Sequence, residues 1–347
     1  MKYIKTLLAI TLSTVLGACG GGGGSDDGVA GSVDSGAGSS TESALFSLGV
    51  SDNPADAKIV NIAFKQVVLK SSDGAVSFDV SVGGGSRHVD LLTVQGKEVE
   101  TLVSAQSVPL GEYQMCIYIE NSETANTASS YVKTNDGNDA GLVTNSNGSC
   151  GGVGAEELNT GRLFLNKTFT IAAGVNTFVA EFELGKGLQG PHGNKNYWTL
   201  KPTSVQLINS SEVGVISGEI SAAVIDNCEA EAGGSEFSSA VYLYPASTTL
   251  ENMGDFRPAD TVLPQVAPTA SARVNPVKNE LDEIIGNKYE FGFVAAGTYS
   301  LGYTCTYQYD DPDSEEAVTD GFIMHAAEQD VAVTAEQTTV RDFTAVP

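Results

Sequence analysis

The chain has 347 residues, enough for one large or two moderate domains, and 41% of them are hydrophobic, so real cores can form. Lys and Arg number 18 against 43 Asp and Glu, a net charge of −25 that repels phosphate backbones and excludes nucleic acid as the expected partner. The same charge keeps an exported protein soluble and monomeric, and it leaves an acidic surface that can collect divalent cations.

In chain order, the first element is a leader. Lys2 and Lys5 precede an apolar run over residues 7–16, and Gly17-Ala18-Cys19 follow. The run is shorter than the roughly 20 residues a spanning helix needs, so it reads as an export signal with a small-residue cleavage zone. Leu16-Gly17-Ala18-Cys19 closely resembles the lipobox of bacterial lipoprotein precursors. That resemblance implies a signal peptide over residues 1–18, cleavage just before Cys19, and lipidation of Cys19. One acyl chain holds only marginally, so the two or three chains of a lipoprotein would make the membrane anchor stable. By analogy with the sorting rule of double-membraned bacteria, Gly20 after the cysteine implies the outer membrane, on its periplasmic or cell-surface face. Residues 19–43 are rich in Gly, Ser and Asp and have too little apolar surface to offset their ordering entropy; they are expected to form a flexible tether.

From Ala44 the pattern becomes β. Residues 44–50, 59–70, 76–82, 88–94 and 113–119 are short runs rich in Val, Ile, Phe and Leu, parted by turn residues, and they read as strands of an antiparallel sandwich. Residues 120–154 turn polar and read as a long loop carrying Cys150, which a disulfide would pin. Strands resume at 162–171, 177–184 and 197–209, with an irregular glycine-rich loop over 185–195. A second unit opens near Val213. It includes Ala240-Val241-Tyr242-Leu243-Tyr244 and a run in which Tyr289, Phe291 and Phe293 alternate on one side, followed by a turn at Ala296-Gly297-Thr298.

Several blocks carry a family resemblance: Leu48-Gly49-Val50-Ser51-Asp52-Asn53-Pro54-Ala55-Asp56, Asp90-Leu91-Leu92-Thr93-Val94-Gln95-Gly96, and Pro109-Leu110-Gly111-Glu112-Tyr113. Thr168-Phe169-Thr170-Ile171 and Trp198-Thr199-Leu200-Lys201-Pro202 continue it in order. Together they resemble a family of bacterial lipoprotein domains catalogued only as a domain of unknown function, over roughly residues 44–209. The sequence departs from it in Asn53-Pro54, where Ala-Pro is commoner, and in the polar insertion over 131–151. The family brings no catalytic residues to transfer. Ser217-Gly218-Glu219-Ile220, Val241-Tyr242-Leu243 and Phe293-Val294-Ala295-Ala296-Gly297-Thr298-Tyr299 resemble the prealbumin-like or carboxypeptidase-regulatory-like sandwich, grouped with carbohydrate-binding-like folds. Some Gram-positive relatives crosslink a first-strand Lys to a last-strand Asn; this chain has neither residue in those strands. The expected architecture is therefore all-β: two antiparallel β-sandwiches, immunoglobulin-like or prealbumin-like, in tandem over 44–211 and 212–347.

Setting Cys19 aside leaves Cys116, Cys150, Cys228 and Cys305, an even set that an oxidising compartment would pair. Of three connectivities, Cys116 with Cys150 and Cys228 with Cys305 keeps each bridge inside one unit. A cysteine metal site is not expected, because no Cys-x-x-Cys spacing occurs.

Catalytic signatures do not assemble. His88, His192 and His325 stand alone in separate blocks, and no serine sits in a Gly-x-Ser-x-Gly elbow. The acidic loop with Asp310, Asp311, Asp313, Glu315 and Asp320 concentrates oxygen ligands of the kind calcium takes, as does the shorter Asn135-Asp136-Gly137-Asn138-Asp139 run. Neither follows the EF-hand pattern, and a charged hairpin loop is usually only solvated. No other cofactor is expected. Tyr197 and Trp198 are the candidate ligand platform, since a polar-edged ring stacks on a pyranose much as it packs in a core; Trp198, Tyr242, Tyr244 and Tyr303 are first read as packing residues. The expected function is a non-catalytic, membrane-anchored interaction module of the cell envelope, recognising glycan or an envelope protein. A structural spacer or assembly subunit is the alternative, and a hydrolase ranks last.

Overall fold

The structure is a computed structural model that describes residues 42–53, 57–154, 157–258, 261, 263–316 and 318–345. Residues 1–41, which include the expected leader, Cys19 and most of the expected tether, lie outside the described residues. From residue 42 on, the described residues belong to one compact unit.

The protein is nearly all β, in four sheets whose strands are numbered here in chain order. The first sheet holds β1 (Ser43–Asn53), β5 (Glu100–Pro109), β10 (Val175–Glu183) and β13 (Val205–Asn209), in the order β13-β10-β1-β5. The second is built on β2 (Ile59–Ser71), with β3 (Gly74–Asp79), β4 (Arg87–Asp90), β6 (Gly111–Glu120) and β9 (Thr160–Ile171). It is extended on one side by β7 (Tyr131–Lys133), β8 (Asp139–Val143), β12 (Trp198–Leu200) and β11 (Leu188–Gln189). Alternation explains the pairing of these two sheets. Phe46, Leu48 and Val50 of β1, with Phe178, Ala180 and Phe182 of β10, are buried against Ile62, Phe64, Val67 and Leu69 of β2 and Met115 and Ile117 of β6 in one core.

The 3₁₀ turn Ser210–Glu212, capped by the Asn209 side chain, leads to the third and fourth sheets. The third runs β17 (Asn275–Lys278), β18 (Ile284–Ala295), β14 (Val213–Glu219), β21 (Thr338–Val340). The fourth runs β16 (Ala270–Arg273), β15 (Ala240–Pro245), β19 (Gly297–Thr304), β20 (Ala326–Val333). Ile216, Tyr289, Phe291, Val241, Leu301, Tyr303 and Val331 close a second core between them. Most ladders are antiparallel, but β1 with β10, β8 with β12 and β14 with β21 run parallel.

Two segments differ from their reading as loops, and a helix stands where no element is anticipated. The polar insertion forms the β7–β8 hairpin, which pairs with β2 on one side and β12 on the other, so it stitches the Trp198 strand into the second sheet. Residues 185–189 belong to the single helical turn α1 (Leu184–Gly187) and to β11 rather than to irregular loop, and Leu184 leaves the strand for that turn. Cys228 lies on the helix α2 (Ala222–Ala232), which buries Val224 and Cys228, four residues apart on one face. Among the described residues, no helix is long and apolar enough to cross a membrane.

Candidate functional site

The Asp-Leu-Leu-x-x-Gln-Gly block builds the contact between the two sandwiches. Asp90 Oδ1 accepts from the backbone N–H of Leu92 at 3.2 Å and of Val60 at 3.1 Å, which caps the 3₁₀ turn Leu91–Thr93 and fastens it to β2. Leu91 is fully buried in the first core. The Ser51 hydroxyl lies within hydrogen-bonding reach of the carbonyls of Val94, at 3.0 Å, and Gly96, at 3.2 Å, so the last strand residues of β1 hold the turn that follows.

Held in this way, the turn reaches the second sandwich. Gly96 has φ +62°, and a Cβ there would stand 2.6 Å from Glu290 Oε1. A Cβ on Gly292 would stand 1.9 Å from the Gly96 carbonyl oxygen. Two glycines thus let the two backbones meet. Lys97 N–H donates to Glu290 Oε1 at 3.0 Å, and its ammonium is 3.6 Å from Oε2. Elsewhere along the seam Lys201 pairs with Asp313 at 2.6 Å, and Glu183 accepts from the N–H and hydroxyl of Ser271, both at 3.3 Å.

Between the Gln95-Gly96 turn and the outer face of the third sheet lies a groove of about 600 Å³. Its walls carry Glu219, Arg273, Asn275, Lys288, Glu290 and Asp342. Lys288 and Glu219 pair at 3.2 Å, and Asp342 accepts from the Glu219 N–H at 2.8 Å. Tyr289 contributes little aromatic face, being 2% exposed with its hydroxyl donating to the Arg341 carbonyl at 2.5 Å. The groove offers hydrogen-bond donors and acceptors of both charges, a surface for holding a polar ligand.

The residues singled out from sequence fall in different places. Both expected disulfides are formed, each within one sandwich. Cys116–Cys150 lies on the outer face of the second sheet with Val68, Tyr118 and Phe164, and the Tyr118 hydroxyl meets the carbonyls of Gly148 at 2.9 Å and Val153 at 3.1 Å. Cys228–Cys305 ties α2 into the second core.

The acidic loop does not converge. Asp310 turns inward, accepting from the Tyr242 hydroxyl at 2.5 Å and the Phe256 N–H at 3.2 Å, and burial pushes its carboxyl well above the usual carboxylate range. Asp313 faces Lys201, Asp311 accepts from the Asp313 N–H, and Glu315 and Asp320 are exposed. Among the described residues, no three His, Cys, Asp or Glu side chains gather as metal ligands. In the Asn135–Asp139 turn, hydrogen bonds from Thr134 and Asn138 lower the Asp136 carboxyl. Trp198 is half-buried against the first core, and Lys195 stands 5.7 Å over the Tyr197 ring. Tyr242, Tyr244 and Tyr303 are fully buried. The histidines remain apart: His88 meets Asn61 at 2.9 Å, His192 the Gly190 carbonyl at 3.1 Å, and His325 Glu231 at 2.6 Å.

Sequence reasoning missed the carboxyls buried at the seam. Asp52 is fully buried, with neither oxygen in a hydrogen bond, and Glu183 is 3% exposed. Burial raises both well above the carboxylate range, and it pushes the neighbouring Glu181 up to about 8. Their one available signal was Glu181-Phe182-Glu183 at a strand end beside Ser51-Asp52-Asn53, and it is identical to the signal of a solvent-facing alternation.

Part of the chain is similar to a known family. Residues 43–202 match the family described as a domain of unknown function (DUF4382). No curated protein matches the chain. Among solved structures, a leucine-rich repeat protein from Bacteroides thetaiotaomicron is 11% identical, with a TM-score of 0.19, over 87% of this chain and 27% of that one. This chain therefore spans little more than a quarter of that protein's length. The fimbrial anchor protein Mfa2 from Porphyromonas gingivalis is 9% identical, with a TM-score of 0.18, over 77% of this chain and 80% of that one.

Proposed function

We propose that this protein is a non-catalytic interaction module of the bacterial cell envelope, held on the outer membrane by lipid on Cys19. Its two sandwiches are joined as one body that presents the junction groove to a ligand. The observation that carries this reading is the groove itself: its wall is shared by the Gln95-Gly96 turn of one sandwich and the sheet face of the other, so the ligand surface exists only while the two are docked. Two disulfides support export to an oxidising compartment, and the Leu16-Gly17-Ala18-Cys19 leader supports the anchor. Glycan is the ligand class that suits walls made of Asn, Arg, Lys and carboxylate groups, which can match hydroxyls of either donor or acceptor sense.

The test is a glycan array followed by calorimetric titration of the best hit against wild type, Asn275→Ala and Glu219→Gln. Retention of one glycan class that both variants weaken at least about tenfold, or about 1.4 kcal/mol, supports the reading. An array with no hits, or hits untouched by both variants, removes the groove as the glycan site. Membrane fractionation of Cys19→Ala tests the anchor separately, with movement from the membrane to the soluble fraction expected.

The seam contacts also favour a second reading, a rigid spacer. Lys201–Asp313, Lys97–Glu290 and the Gly96–Gly292 approach fix one sandwich against the other whether or not a ligand is held. Deletion that alters envelope spacing, with no glycan retained on the array, would favour the spacer.

A further inference from the structure

Carboxyls crowd the seam. The parallel register of β1 and β10 sets Ser51 beside Glu181, Asp52 beside Phe182 and Asn53 beside Glu183, which places three carboxyls at one end of the first sandwich. Asp52 has no hydrogen-bond donor on either oxygen. Ser271, across the seam on β16, donates to Glu183, and the Asn53 amide lies beside both Glu181 and Glu183. Asp90, at the end of β4, adds a fourth carboxyl from the same side. From the second sandwich, β16 supplies the Arg273 guanidinium, 5.6 Å over the ring of buried Tyr307, and beyond Tyr307 lies another carboxyl, Asp310. Two further pairs across the seam, Lys201–Asp313 and Lys97–Glu290, sit at its partly exposed rim. Asp52 and Glu183 are out of water with like charge beside them, so the docked state favours their protonated forms.

We propose that the seam is a proton-operated lock: with Asp52, Glu181 and Glu183 protonated the two sandwiches stay docked, and their ionisation loosens the second sandwich from the first about the connection at residues 210–212. Burial acts in the required direction on all three, and takes Glu181 up to about 8. A carboxyl raised in the docked state binds more protons there than in the open state. Docking is then strongest below the ordinary Glu value and is lost as pH rises through about 8. Because Ser51 and Asp52 also hold the Val94–Gly96 turn, the lock controls one wall of the groove.

The experiment uses the full chain with native disulfides intact, spin-labelled at Ser72→Cys in the first sandwich and Leu281→Cys in the second, both exposed positions. Inter-label distances are measured from about pH 5 to about pH 9. A single narrow distribution at low pH that broadens through pH 8, and stays narrow in the Asp52→Asn, Glu181→Gln, Glu183→Gln variant, is expected. A distribution unchanged over this range, or equal broadening in the variant, overturns the lock. Should the variant fail to fold, isotope-edited infrared spectroscopy of wild type decides. Protonated carboxyl bands from Asp and Glu present near pH 6 and lost by about pH 9 support the lock, and their absence near pH 6 overturns it. Neither measurement involves a glycan, so failure of the lock and failure of the ligand reading are separable.

Discussion

Single residues show why similar letters in the chain do different work. Asp310 begins a run of acids that looks solvated, yet it is the one whose carboxyl satisfies two buried donors, the Tyr242 hydroxyl and the Phe256 N–H. Asp310→Ala should therefore cost about 2–4 kcal/mol, because two donors lose their acceptor in a dry site. Asp310→Asn should cost less than Asp310→Ala, since its amide oxygen still serves one of the two donors and it removes a carboxylate that burial penalises. Thermal or urea unfolding of both variants checks this, and equal losses would mean that charge rather than hydrogen bonding holds the loop. Gly292 is the sharper case at the seam. Its missing side chain leaves room for the Gly96 carbonyl, and Gly292→Ala must displace backbone rather than the end of a side chain. We expect it to cost about 1–3 kcal/mol, the usual range for overpacking. Gly286→Ala on the same strand has nothing within 4 Å and serves as the control.

Elements differ in how openly the chain announces them. The strands around Phe46, Phe64 and Phe291 were legible because each has one buried face, so apolar residues recur at every second position. β7 and β8 were not, since Asp139-Ala140-Gly141-Leu142-Val143 buries only Gly141 and Leu142 and is otherwise polar or half-exposed. Their structure comes from ladders to β2 and β12 that are distant in sequence. α2 was hidden for the opposite reason: only Val224 and Cys228 are buried, too few to reveal a helical period, and the disulfide supplies much of the docking. The two disulfides close spans of 34 and 77 residues. In the chain-entropy account these limit the unfolded state by about 3.8 and about 4.5 kcal/mol. Cys228→Ser with Cys305→Ser should therefore lower stability more than Cys116→Ser with Cys150→Ser. Calorimetry of the two double variants tests the order. In the Cys116 and Cys150 variant, limited proteolysis should cut first within residues 144–154, since the bridge pins that stretch to β6.

For the molecule as a whole, the candidate site was the least legible feature because it belongs to neither sandwich. The Asp90–Gly96 block was visible as a motif, but nothing local says that Asp90 caps a turn whose far end rests on Gly292. The acids at the seam looked like an outward face because periodicity reports which side of a strand a residue takes, not what later packs against that side. The same seam predicts how the protein unfolds. Two cores with separate disulfides would melt independently if joined only by residues 210–212. Buried Glu183–Ser271 hydrogen bonds, the glycine contact and two ion pairs across the seam couple them instead. Near pH 6 a single calorimetric transition is expected, with van't Hoff and calorimetric enthalpies equal. Gly292→Ala should split it into two, because it strikes the contact without entering either core's aromatic packing. Two transitions already in wild type at that pH would show the sandwiches to be thermodynamically separate and the seam too weak to position a shared groove.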